Sequence, residues 1–396
     1  MFTRAHFAAS LMTIALAAEA LAVPVTLPTI GNADFETGAA AFTTFPGYTG
    51  GANPAEITDW AGSGTRGINP TSGGSTPFRD NGFNSTHVAF LQGNGSTIAQ
   101  TVAGWEIGEN YRVAFDYNAR AGSTGTTPPV VGVTATAGAA SFIDVAVPPV
   151  GGSNSYYAGN ILLTAASTTN AISFTSNVTS GDKTLLVDNV RVFRNGPTIL
   201  DNGFENPVQP ANQFEQATGT GNGSLAGSLW ALTGSAGITR NLSAFQNGAI
   251  RAPEGDQHAL IQSIGSFQQT ITGFDEDAVY ELSLLTMARQ GQAFGNDLEV
   301  ILDLGLATQV TLIDLSEVTF NRFTEVTSGA FTAAKDSYTL TIRSTLNGGQ
   351  LSGDRTTFFD NVWFNQLETA PVPEPTVAVL ALGSLGALML RRRAVA

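Results

Sequence analysis

Tyr111-Arg112-Val113-Ala114-Phe115-Asp116-Tyr117-Asn118 decides how this chain is read. Tyr111, Val113, Phe115 and Tyr117 fall on one face and Arg112, Asp116 and Asn118 on the other, the period-two pattern of an antiparallel strand with one buried side. Residues 171–176 and 338–343 alternate in the same way, and clusters of Gly, Asn, Ser or Pro separate such segments. No apolar stripe at helical spacing runs for twelve residues between the chain's ends. With 44 glycines among 396 residues, 42% hydrophobic and only 13% charged, the composition suits short strands joined by turns.

The deciding segment has a counterpart, Tyr280-Glu281-Leu282-Ser283-Leu284, and so do its neighbours. Asn32-Ala33-Asp34-Phe35-Glu36 answers to Asn202-Gly203-Phe204-Glu205, Trp60 to Trp230, and His87-Val88-Ala89-Phe90-Leu91 to His258-Ala259-Leu260-Ile261. Gln100 answers to Gln268 or Gln269, and Val187-Asp188-Asn189-Val190 to Phe359-Asp360-Asn361-Val362. A period of about 170 residues is too long for a solenoid and right for two domains. The expected fold is all-β: two tandem antiparallel β-sandwiches, most economically jelly rolls, at 23–195 and 196–370, divided where Asn195-Gly196-Pro197 breaks any strand.

Both ends read as addresses. Arg4 and His6 precede an apolar run, and Ala20-Leu21-Ala22 supplies small residues for a cut after Ala22, so 1–22 is expected to be a secretory signal helix. Residues 371–396 carry Val372-Pro373-Glu374-Pro375, an uncharged stretch from Thr376 to Leu390, and Arg391, Arg392 and Arg393. The stretch is short for a bilayer crossing, and the arginines would stay on the cytoplasmic side. Proline-glutamate-proline, hydrophobic helix and arginine cluster in this order resemble the PEP-CTERM sorting signal of Gram-negative bacteria that make extracellular polysaccharide. The resemblance implies recognition by an exosortase, brief residence in the inner membrane, and delivery to the cell surface or extracellular matrix. An ordinary tail anchor is the alternative.

Removing the leader and the tail takes 18 basic and 32 acidic residues to 14 and 30, a net charge of −16. Such a surface repels phosphate backbones, which excludes nucleic acid as a partner, and it attracts divalent cations. The chain has no cysteine, so neither disulfides nor thiol catalysis is available to it.

The order of landmarks also resembles the galactose-binding-domain-like jelly rolls, which include many carbohydrate-binding modules. The parallels are the two early Phe-Glu pairs, Gln100-Thr101-Val102 before Tyr111, Gln269-Thr270-Ile271 before Tyr280, and the late Asp188 and Asp360 strands. In that family the early Glu and the late Asp help hold a structural calcium ion. Carried over, this names Glu36 with Asp188 and Glu205 with Asp360, completed by backbone carbonyls. On the residues alone, Asp188 shares an apolar face with Leu186, Val190 and Val192, so it must bind a cation, accept backbone N–H bonds or sit on an exposed edge.

The resemblance further implies a polysaccharide partner. Trp60, Trp230, Tyr111 and Tyr280 recur in both copies and read as core, whereas Tyr48, Tyr156 and Tyr157 stand beside glycine-rich loops and are the candidates for stacking on sugar. Catalytic signatures are poor: His87 and His258 are a repeat pair, no nucleophile elbow or metalloprotease motif occurs, and Glu254 with Asp256 sits in a turn-like context. The expectation is a glycan-binding surface or matrix protein and not an enzyme, with a purely structural matrix protein that binds no sugar, or a secreted glycoside hydrolase, as the alternatives.

Overall fold

The computed structural model describes residues 23–369 apart from 45–46, 70–81, 83–86, 121–130, 136–140, 145–146, 148, 153, 179–182, 218–224, 244–250, 290–294 and 346–354. The leader and tail helices expected from sequence lie outside the described residues. Within them the fold is all-β, interrupted by a single 3-10 turn at Ala39–Ala41.

Two sheet systems each fold into a sandwich. In the first, Ser141–Asp144, Val131–Ala135, Thr169–Ser176, Val88–Ala103, Thr184–Arg194, Asn110–Ala119 and Tyr157–Thr164 are neighbours in that order, with Ala61–Asn69 beside Val88–Ala103. The long strand serves two layers: residues 89–92 pair with 184–187, and 96–103 pair with 169–176. The second system repeats this, with 259–262 on 356–359 and 265–272 on 337–344. A strand bent across two layers closes a sheet into a sandwich. The strand alongside must bend with it, and does so at Gly64 (φ 72°) and Gly234 (φ 60°), each at a register shift. A Cβ there would stand 2.8 Å from the Ser96 Cα or 2.4 Å from the Ile264 carbonyl oxygen, so no larger residue fits without movement.

The recurring sequence landmarks turn out to be the clasps of each sandwich. Gln100 exchanges two hydrogen bonds with the Gly31 backbone, at 2.8 and 2.9 Å, and also donates to the Asp59 carbonyl. Gln269, not Gln268, does the same with Leu200 and Leu229. Trp60 and Trp230 are buried and donate their indole N–H to the Asn32 and Asp201 carbonyls. The hydroxyls of Tyr111 and Tyr280 accept from the Glu106 and Asp275 amides. Around these clasps, Phe35, Trp60, Phe115 and Phe174 pack in the first core, and Phe204, Trp230, Phe267 and Phe359 in the second.

Two features depart from the sequence reading. Strand Asn110–Ala119 was expected to have one wet face, yet Arg112 and Asn118 are as buried as Tyr111. Asn118 is held by the Val150 backbone of its own sandwich, and Arg112 is covered by the second sandwich. Arg112 donates to Asn160 Oδ1 (3.1 Å) and across the boundary to Asn365 Oδ1 (2.8 Å). Its guanidinium lies between the rings of Phe193 (4.4 Å) and Trp363 (4.8 Å). The second departure concerns Val23–Pro24, which was assigned with the first sandwich. It pairs instead with the last strand of the second sheet system, Val23 opposite Thr369 and Pro24 opposite Glu368, on the edge away from Val279 and beyond the 356–359 stretch that pairs with 259–262.

Candidate functional site

The faces that meet between the sandwiches are built by one repeated irregularity. Between Ala114 and Asp116 the register with strand Thr184–Arg194 shifts, and Asn189 takes φ 49°. An extra residue in one strand reverses which face later side chains occupy. Val192 therefore stands opposite Val113 in the core, whereas Asp188 stands opposite Asp116 on the outer face. This corrects the expectation that Asp188 shares a face with both Val190 and Val192. The second copy repeats the device: the shift falls between Ser283 and Leu285, Asn361 has φ 54°, and Asp360 stands opposite Leu285. Both aspartates thus face the boundary between the sandwiches and not their own cores.

Crowded carboxylates result. Asp188 accepts the Asn189 amide at 2.8 Å, and burial, with Asp116, Asp34 and Glu36 nearby, pushes its carboxyl up to about 8. Glu36 is engaged by the backbone N–H of His87 and by its ring Nδ1 at 2.7 Å. Asp360 is fully buried and accepts the amides of Asn361 (2.8 Å) and Glu254 (3.1 Å). Burial and the charges of Glu254 and Glu205 raise it well above the usual carboxylate range. Glu205 Oε1 accepts the Asp256 and Gln257 amides, both at 2.9 Å, and burial lifts this carboxyl to about 7. Glu254, left by sequence as part of a charged turn, reaches about 7 through burial, and its Oε2 is buried with no hydrogen-bond partner.

That orphaned oxygen beside Asp360 and Glu205 is what a hard cation would satisfy, so the second cluster fits calcium in donor chemistry. The Asp360 oxygens that accept single amides keep a lone pair for a metal, and Glu205, whose Oε1 accepts two amides, would offer its other oxygen. Among the described residues no three His, Asp or Glu side chains stand in ligating geometry.

The aromatic candidates are placed differently from expectation. Tyr157 is buried against Tyr117, with ring centroids 5.4 Å apart. Tyr48 leans edge-on against Phe90 at 5.3 Å, and its hydroxyl bonds to Gln92. Tyr157 belongs to the first core, and Tyr48, half-buried, packs against it. Tyr156, also buried, borders the space between the sandwiches.

That space is a cavity of about 440 Å³, within the range of about 300–1,000 Å³ usual for ligand pockets. The first sandwich contributes Asp116, Asp188 and Tyr156, and the second Leu285, Phe323 and Glu325. Arg191 bridges the walls. It pairs with Glu325 from one side and lies 3.9 Å from Asp116 on the other, while Asn189 Nδ2 holds Asp116 at 2.8 Å. Sequence reasoning missed Asp116, Arg191 and Glu325. Their only advance sign was formal charge within alternating strands.

Behind Phe323 lies His258, fully buried, with its ring 5.2 Å from Phe323 and 4.9 Å from Phe358. Burial pushes its imidazole down to about 3, so the native state holds it neutral. Its contribution to stability is complete above the unfolded value near 6.5 and is lost as pH falls through the window toward 3, by about 1.4 kcal/mol per unit. His258→Leu is expected to flatten the acid side of a urea-stability curve over this window. An unchanged slope would remove His258 as its source.

No family model matches the chain, and no curated protein does. Among solved structures it is similar to the N-terminal CBM22-1-CBM22-2 tandem domain of Paenibacillus barcinonensis Xyn10C, with TM-score 0.27 and 12% identity over 89% of this chain and all of that one. It is similar to the Stig cyclase Fisc from Fischerella sp. TAU, with TM-score 0.31 and 18% identity over 44% of this chain and 98% of that one. TmCBM61 in complex with beta-1,4-galactotriose gives TM-score 0.27 and 12% identity over 43% of this chain and 98% of that one. Superpositions this loose say nothing about a ligand.

Proposed function

We propose that this chain is an exported, non-enzymatic glycan-binding protein of two galactose-binding-like jelly rolls, sorted to the cell surface or matrix by its PEP-CTERM tail. The observation that carries the binding reading is the 440 Å³ cavity walled by both sandwiches, polar through Asp116, Arg191 and Glu325 and apolar through Tyr156, Leu285 and Phe323. Sugars need that mixture, since a pyranose presents hydroxyls at its edge and C–H groups on its faces. Glycan-array binding by the exported protein, with release of reducing ends assayed alongside, tests it. Turnover lost on Asp116→Asn would instead favour the hydrolase reading, which the cross-strand carboxylates Asp116 and Asp188 make specific. Calcium belongs to the same proposal, held by Glu36 with Asp188 and by Glu205 with Asp360 and Glu254.

Sorting is tested separately. Replacing Pro373, Glu374 and Pro375 by alanine is expected to leave export through the leader intact and to strand the protein in the inner-membrane fraction, because export and sorting use different segments. Unchanged surface delivery would leave only a tail anchor.

A further inference from the structure

We infer that the cavity between the sandwiches is built for an uncharged, hydroxyl-rich saccharide and selects against uronic acid and amino sugar units; this rests on the glycan-binding reading above. Its wall charges are answered from within the wall. Arg191 is shared between Glu325 of the second sandwich and Asp116 of the first, and Asp116 also accepts from Asn189. Arg322, the other cation at the cavity, is likewise engaged. A ligand carboxylate would have to draw Arg191 away from two partners and then sit between Asp116 and Glu325. It would also approach a chain whose net charge is −14. A ligand ammonium would have to displace Arg191 from the same carboxylates.

A hydroxyl displaces nothing. Each ionised carboxylate has about four acceptor sites, and the pairs described leave some of them open. Hydrogen bonds to charged groups are stronger than neutral ones, so a paired charge is a good hydroxyl receptor even though it is a poor ion receptor. Phe323 and Tyr156 supply apolar surface between these polar edges. Because Asp116 belongs to one sandwich and Glu325 to the other, the receptor exists only while the two stay docked.

Titration calorimetry of the exported protein tests this with three probes: neutral gluco-, galacto- and xylo-oligosaccharides, oligogalacturonate, and chitosan oligomers. Each is run at low salt and at about 0.5 M, where exposed charge attraction is largely screened. A neutral oligosaccharide is expected to bind with its Kd changed less than about twofold by salt, while the charged probes bind at least about tenfold more weakly. Ala158→Trp, which fills the cavity from the position opposite Asp116, is expected to abolish binding; a wild-type melt shows that it folds. Glu325→Gln frees Arg191 on one side and is expected to bring in oligogalacturonate binding that salt weakens. Salt-sensitive binding of a charged probe by the wild type, lost in Ala158→Trp, would overturn the inference and leave the glycan reading standing. Binding untouched by Ala158→Trp would remove the cavity as its seat, and silence from every probe would sink both.

Discussion

Arg112→Ala is expected to separate one melting transition into two and to lower stability by about 3–5 kcal/mol, the usual consequence of removing one member of a buried charged network. The guanidinium is buried, stacked between Phe193 and Trp363, and bonded to Asn160 and Asn365. Burial and the neighbouring Arg191 pull it down to about 9, so the cation is held there at a cost that its partners offset. Truncation leaves the Asn365 carbonyl oxygen without its donor and Glu254 and Glu281 without the positive charge that steadies them. Arg112→Met keeps the packing between the rings and should lose less, which separates charge from bulk. Differential scanning calorimetry in chelator decides it. A single transition of unchanged midpoint in Arg112→Ala would mean that the sandwiches are held together by something else.

Asp188→Asn is expected to stabilise the protein in chelator and to lose most of that advantage in calcium. In chelator, the folded carboxyl near 8 lies far above the unfolded value near 3.9, so ionising it costs stability progressively as pH rises through that window. At pH 7 the cost is on the order of 4 kcal/mol. Asparagine removes it while its Oδ1 still accepts the Asn189 amide. In calcium the wild type recovers about 2.7 kcal/mol at a free concentration a hundredfold above Kd, and the asparagine variant recovers nothing in its first sandwich. Asp360→Asn should do the same for the second. Identical wild-type melts in calcium and in chelator would dismiss the cation, and a less stable Asp188→Asn protein in chelator would dismiss the electrostatic account as well.

Much of the fold was legible because its clasps are local in kind even where they are distant in sequence. Gln100 and Gln269, Trp60 and Trp230, and Tyr111 and Tyr280 recur since each satisfies a backbone group that every copy of the sandwich must satisfy. The site was much less legible. Asp188 was visible as a carboxylate in an apolar strand, but its direction depends on one extra residue at Asn189, and a positive φ at an asparagine leaves no mark in an alternation pattern. Arg112 and Asp116 read as a solvated face because nothing in a single strand announces that a second domain will cover it. Tyr156 was chosen for its neighbouring glycines and borders the cavity for another reason, its place at the docked face.

The pairing of Val23 with Thr369, extended by the Val25 amide on the Leu367 carbonyl at 2.8 Å, puts the two ends of the folded body one strand spacing apart, about 5 Å. A mechanical load applied between those ends would peel this short ladder open bond by bond, and neither sandwich would feel it until the ladder had gone. A load that enters through the tail and leaves through a polymer gripped between the sandwiches takes another route, along the strand Thr356–Thr369 and into the docked faces around Arg112. The same protein would be soft to one direction of pull and stiff to the other.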